Sequence, residues 1–279
     1  MLSNLLPKRK QKTTEEELSF FGHLEALRWH LFRSAIAIAV FSLIAFCYKE
    51  IIFDGIILAP KNPNFWTYRA FCWLSHKYNL DMCITSIPFT LVNNELSGQF
   101  TLHMWVAFIA GLVISFPYIF WELWCFIKPA LQVKERKYTR GIVFFSTILF
   151  LMGVMFGYYI LSPMSINFLG SYQVSAQIQN LISLDSYIST VTILTLATGV
   201  VFEMPIIIYF FSKIGLMTPS FMRKYRKHAF IIILIVAAII TPTPDITGQI
   251  LVSIPLLLLY EISVFVSAAV LRNKLKAEK

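Results

Sequence analysis

Residues 187–211 read YISTVTILTLATGVVFEMPIIIYFF, an unbroken apolar run whose only charged residue is Glu203. A stretch of about 20 apolar residues is long enough to cross the hydrocarbon core of a bilayer as a helix. Working outward, five further apolar stretches can be marked, at 31–46, 100–120, 141–161, 229–240 and 246–270. The chain is 57% hydrophobic and only 14% charged, far too apolar for an ordinary soluble domain. These stretches predict an all-α, polytopic membrane protein with six transmembrane helices. They form one membrane domain over 14–272, flanked by a disordered basic tail at 1–13 and a short tail at 273–279. No soluble domain is left over.

The positive charges orient this bundle. Of the 24 Lys and Arg residues, all but Lys49, Lys61, Arg69 and Lys77 lie in or beside alternate gaps between the stretches. Lys and Arg are retained on the cytoplasmic side. Both termini and the segments 121–140 and 212–228 are therefore expected in the cytoplasm, with the protein multi-pass in the plasma (inner) membrane. The net charge of +9 then reflects orientation. Nucleic-acid binding is not expected, because no basic patch has a folded domain behind it. The first apolar stretch follows Glu15, Glu16 and Glu17 and lacks a small-residue cleavage site, so it reads as an uncleaved span.

Several local signals refine the topology. Thr14 followed by Glu17 is a capping box that starts a helix. Its Leu18, Phe20, Phe21, Leu24, Leu27 and Leu31 make one broad apolar side, suited to the inner surface before the first span. The external loop 49–99, with Pro60, Pro63, Pro88 and several aromatics, is expected to fold as a cap. It holds Cys72 and Cys83, for which a disulfide and two free thiols both stay open. Pro117 marks the inner end of the second span, with Trp121 and Trp124 at the interface. Gly153 and Gly157 form a small-xxx-small pair suited to close helix packing. The segment 162–186 reads as a second external loop. Ala229–Ile240 spans only about 18 Å as a helix, short of a hydrocarbon core of about 30 Å, before Thr241-Pro242-Thr243-Pro244 stops it. Pro60, Pro117 and Asp245 are read as turn formers, Asp245 capping the sixth span.

A few polar residues carry chemistry. A carboxylate at the depth of Glu203 costs several kcal/mol unless it faces protein or water. Pro205 lacks an amide hydrogen and clashes with the carbonyl of residue 201, so the helix should kink beside that acid. Gln249 and Glu261 lie on the sixth span, about 18 Å apart along a helix. Glu135, within Lys134-Glu135-Arg136-Lys137, is an acid in an otherwise basic inner loop. There is no phosphate-binding Gly-xxxx-Gly-Lys-Ser/Thr run, no His-Glu-xx-His helix and no Gly-x-Ser-x-Gly elbow. No enzymatic activity and no cofactor or metal are expected.

Together these residues resemble the TatC family, the multispanning receptor subunits of the twin-arginine protein translocase. The resemblance covers about residues 18–270. It is carried by Gly22-His23-Leu24-Glu25-Ala26-Leu27-Arg28, by Trp124-Cys125-Phe126-Ile127-Lys128-Pro129-Ala130-Leu131 continuing to Glu135, and by Phe202-Glu203-Met204-Pro205. Thr241–Asp245, Gln249, Pro255 and Tyr260-Glu261-Ile262 complete it, with short fifth and sixth spans. It implies binding of signal peptides with paired arginines on folded cargo, proton-motive force as the drive, and TatA- and TatB-type single-span subunits and further copies of itself as partners in the bilayer. Glu135, Glu25, Arg28 and Phe126 would form the cytoplasmic binding surface. Glu203, Pro205, Gln249 and Glu261 would form an intramembrane polar set, with Glu203 on the groove-lining side. One departure matters: the family's N-terminal acid falls at Ala26 and its second basic residue at His30. Glu25, one position earlier, is rotated by about 100° on a helix. The competing reading is a proton-coupled small-solute transporter using Glu203 and Glu261.

Overall fold

The computed structural model describes residues 20–78, 83, 89–127, 139–173, 175, 180–241 and 246–277. The basic tail, the Thr14–Glu17 capping box, Glu135 and Asp245 lie outside these residues.

Among the described residues, ten α-helices carry the fold: α1 (Phe20–Cys47), α2 (Trp66–Tyr78), α3 (Gly98–Ile127), α4 (Thr139–Phe156), α5 (Ser162–Ser171), α6 (Leu184–Phe202), α7 (Met204–Lys213), α8 (Pro219–Lys224), α9 (Arg226–Ile240) and α10 (Ile246–Ala277). Among the described residues, five helical stretches are long and apolar enough to cross a membrane: 22–47, 98–127, 141–171, 184–213 and 248–274. Their lipid-side residues, including Leu43, Phe108, Phe144, Ile193 and Phe265, are exposed, as expected where hydrocarbon replaces water. The 15-residue α9 rises about 22 Å, too short alone for a core of about 30 Å.

Successive long helices run antiparallel, giving the bundle a termini end and a cap end. α1 packs chiefly on α3, α4 on α6, and α10 on both α7 and α9. One buried core gathers Leu161, Leu194, Phe202, Ala237, Val252 and Leu256 where α6, α9 and α10 meet. A second, with Ile57, Phe89, Val106, Ile166 and Ile188, lies under the cap. α4 and α6 approach closely through the small residues: a Cβ on Gly157 would meet the Leu194 carbonyl oxygen at 2.8 Å, and one on Gly153 the Thr198 carbonyl oxygen at 2.6 Å. Thr198 Oγ1 uses that closeness, donating to the Gly153 carbonyl at 2.9 Å.

The cap is an ordered structure. A π-helical turn (Ile51–Ile57), a 3-10 turn (Ala59–Lys61) and α2 fold over the helix ends. Strand β1 (Thr90–Val92) pairs in parallel with β2 (Leu181–Ser183), joining the two loops at that end. Pro60 sits in the 3-10 turn. The buried Tyr68 hydroxyl is shared between the carbonyls of Pro60 at 2.9 Å and Pro163 at 3.1 Å. Tyr187 donates to Ile57 at 2.9 Å and Tyr158 to Ile56 at 2.7 Å. Cys72 and Cys83 are joined as a disulfide.

The structure corrects several expectations. The sixth span is not short: α10 has 32 residues. It runs through Arg272 and Lys274 into the expected tail, because Lys and Arg are good helix formers and their long stems tolerate an interface. Pro117 is no turn but lies inside the 30-residue α3. Losing one backbone bond, to Val113, does not end a helix so well packed on α1 and α4. Trp124, placed at the interface by sequence, is 1% exposed and packs on Phe210. The loop expected from 162 begins only at Tyr172. A π turn (Gly157–Leu161) leads into α5 with Pro163 in its first turn, where the missing amide costs nothing.

Candidate functional site

Two polar centres lie within the bundle. The first is the break between α6 and α7. Glu203 is the single residue joining the two helices, with φ −72° and ψ −5°. Pro205 follows in the first turn of α7, where its absent amide is tolerated. The kink expected beside Pro205 is thus a one-residue interruption at Glu203, two residues earlier. The Glu203 side chain is buried, and its Oε2 accepts a hydrogen bond from Ser146 Oγ of α4 at 2.8 Å. Its Oε1 has no hydrogen-bond partner among the described residues. A half-satisfied carboxyl among Phe202 and its apolar neighbours is an expensive group to keep.

The second centre lies at the termini end, where α1 meets α3. Glu122 of α3, 6% exposed, receives three groups. His30 Nδ1 lies 2.5 Å from Oε2, and Tyr118 donates its hydroxyl to Oε1 at 2.8 Å. The Arg33 guanidinium stands 3.9 Å from Oε2 with its side chain 57% exposed. One turn along α3, Phe126 stacks on His23 with ring centroids 4.3 Å apart and meets His30 edge-on at 6.2 Å. His23, Ala26 and His30 form the half-buried stripe of α1 facing α3, whereas Glu25 and Arg28 are exposed. Phe126 is therefore brought against the N-terminal motif. Glu25 lies off the stripe that faces Glu122.

The other expected polar residues are dispersed. Gln249 Nε2 donates to the Leu234 carbonyl at 3.1 Å, tying α10 to α9. Glu261 accepts from Arg226 Nη2 at 2.7 Å, an ion pair whose members are about half exposed. Glu203, Gln249 and Glu261 have no hydrogen bond to one another among those described. No group of three or more His, Cys, Asp or Glu among the described residues could hold a metal ion.

Sequence reasoning missed Glu122, His30 and Tyr118 as a unit. A signal was present: Glu122 is the only charge between Phe100 and Ile127 and follows Tyr118 by one turn. Its partner on α1, however, is 92 residues away, and helix-pair register is not written in either helix alone.

A family model described as Sec-independent protein translocase protein (TatC) matches residues 22–255. The chain belongs to the TatC family. It is 42% identical over 266 residues to a TatC protein of Blattabacterium sp. subsp. Periplaneta americana, covering 94% of this chain and all of that one. Against TatC of Desulforapulum autotrophicum the identity is 34% over 250 residues, covering 90% of this chain and 84% of the relative. Its fold is similar to a crystal structure of a twin-arginine translocase receptor, TatC, with TM-score 0.67 and 31% identity, covering 89% of this chain and 99% of that one. Membership in the TatC family makes the chain a multi-pass membrane component of the Sec-independent translocase, a transport protein rather than a catalyst, working with other subunits of that machine.

Proposed function

We propose that this chain is the receptor subunit of the translocase. It binds signal peptides with paired arginines on folded proteins and nucleates the export complex with TatA/TatB-type single-span subunits and further copies of itself, driven by the proton-motive force. It takes six spans, α9 being the fifth and the shortest, with both termini in the cytoplasm of a cell bounded by a plasma (inner) membrane. The observation that carries the reading is the junction of Phe126 with the stripe of α1 bearing His23, Ala26 and His30. This junction sits at the end where the charge asymmetry puts the cytoplasm. Glu25, Arg28 and Glu135 complete that surface, and a carboxylate pairs well with a guanidinium fork. Glu203, Pro205, Gln249 and Glu261 serve the membrane interior of the same receptor.

The test is photocrosslinking of a paired-arginine peptide from positions 25, 26 and 135 in membranes. Crosslinks that a paired-lysine peptide neither forms nor competes away are expected. Equal labelling by both peptides overturns the proposal.

A further inference from the structure

The centre around Glu122 combines features that a purely structural polar contact does not need. A carboxylate offers about four lone-pair positions. Tyr118 and His30 occupy one on each oxygen, so the paired N–H groups of a guanidinium that spans both oxygens crowd the imidazole already on Oε2. Arg33, whose side chain is mostly exposed, already brings a guanidinium to 3.9 Å from Oε2 without a hydrogen bond to it, so a guanidinium coming from the surface reaches the neighbourhood of this carboxylate. Glu122 lies in the half of α3 nearer the end that the charge asymmetry places on the cytoplasmic side, and an arginine immediately preceding an apolar segment approaches from that side. Finally, Ala26 lies one turn from His30 on the same α3-facing stripe, so Glu122 is the carboxylate facing the place where the N-terminal motif lacks one.

We infer that Glu122 is a binding carboxylate for one guanidinium of the signal peptide, and that His30 is its resident competitor. In the free protein His30 occupies Oε2 and keeps the buried acid partnered. The incoming arginine takes that oxygen together with an unused position on the carboxylate, and His30 moves aside onto Phe126, whose ring it already meets. Tyr118 keeps the carboxylate oriented throughout. Lysine, a point charge without the planar fork, gains less from this geometry, so the centre discriminates arginine from lysine. The inference rests on the receptor reading proposed above and names a further residue of that surface.

The test is equilibrium binding of a labelled peptide, Arg-Arg followed by an apolar segment, to the full chain in lipid nanodiscs, with a Lys-Lys peptide in parallel. For Glu122→Gln, which keeps shape and loses charge, Arg-Arg binding is expected to weaken about tenfold, the loss of one charge-assisted hydrogen bond, while Lys-Lys binding changes little. For His30→Ala, which leaves Glu122 in place, Arg-Arg binding is expected to tighten severalfold, a direction that mere damage to packing does not produce. An unchanged Arg-Arg to Lys-Lys ratio in Glu122→Gln overturns the inference. Should that variant not fold, unchanged or weaker Arg-Arg binding by His30→Ala overturns it equally. A wild-type chain with no preference for Arg-Arg overturns the receptor reading instead.

Discussion

Replacing Gly157 by Ala tests how the two central helices are held. The new Cβ would lie 2.8 Å from the Leu194 carbonyl oxygen and 2.9 Å from Thr195 Cα. Both are backbone atoms, which cannot swing away as a side chain does. Restoring an ordinary contact of about 3.5 Å requires α4 and α6 to part by about 0.7 Å. Overpacking of this kind costs about 1–3 kcal/mol. The Thr198 hydroxyl also reaches the Leu194 carbonyl of its own helix at 2.7 Å, so it keeps a partner when its 2.9 Å contact to Gly153 lengthens. The expected total stays at about 1–3 kcal/mol. It is felt at Glu203 too, since Ser146 and Glu203 join the same helix pair at 2.8 Å. Gly141 provides the control: a Cβ there meets nothing within 4 Å, so Gly141→Ala should be neutral or stabilising by up to about 1 kcal/mol. Reversible unfolding in mixed micelles, followed by tryptophan fluorescence, reads both. Equal stabilities of the two variants would refute the close-packing account.

Three further outcomes are expected. The Tyr68 phenol is pushed up by burial; above the ordinary phenol value of about 10 the unfolded chain releases a proton that the folded one keeps, so stability falls as pH rises through that value. Tyr68→Phe should remove part of this fall and cost about 1–3 kcal/mol below pH 9 through the unmet Pro60 and Pro163 carbonyls, both visible in pH-dependent melting curves. Mass spectrometry after alkylation without reductant should find Cys72 and Cys83 unmodified and linked, and alkylation of both in protein taken directly from cells would contradict the cap described here. Breaking the exposed Arg226–Glu261 pair with Glu261→Gln should change stability by no more than about 1 kcal/mol, and a larger loss in the same unfolding assay would show that the pair carries more than its exposure implies.

Much of the architecture was legible because bilayer physics writes itself into composition. The run at 187–211 became α6 and α7, and the acid and proline inside it located the break to within two residues. Boundaries set by charge or by proline were less reliable. Arg272 marks where the apolar stretch stops, yet the α10 backbone continues past it. Pro117 read as an end but is absorbed within α3, and the loop expected from 162 is instead the start of α5. At the termini end, the N-terminal motif and Phe126 were singled out separately, and the structure adds that they touch. Glu122 was not singled out, because its significance lies in a partner on another helix. The parallel pairing of β1 with β2 had no signal either: three-residue strands of such ordinary composition are specified by the packing around them.

The cap end is clasped by backbone pairing between two loops and by three tyrosine hydroxyls, whereas α1 and α3 are joined at the opposite end by side chains around one carboxylate. Separating the helices at the cap therefore means unzipping main chain, whereas separating α1 from α3 at the other end means releasing only a few side chains from one acid.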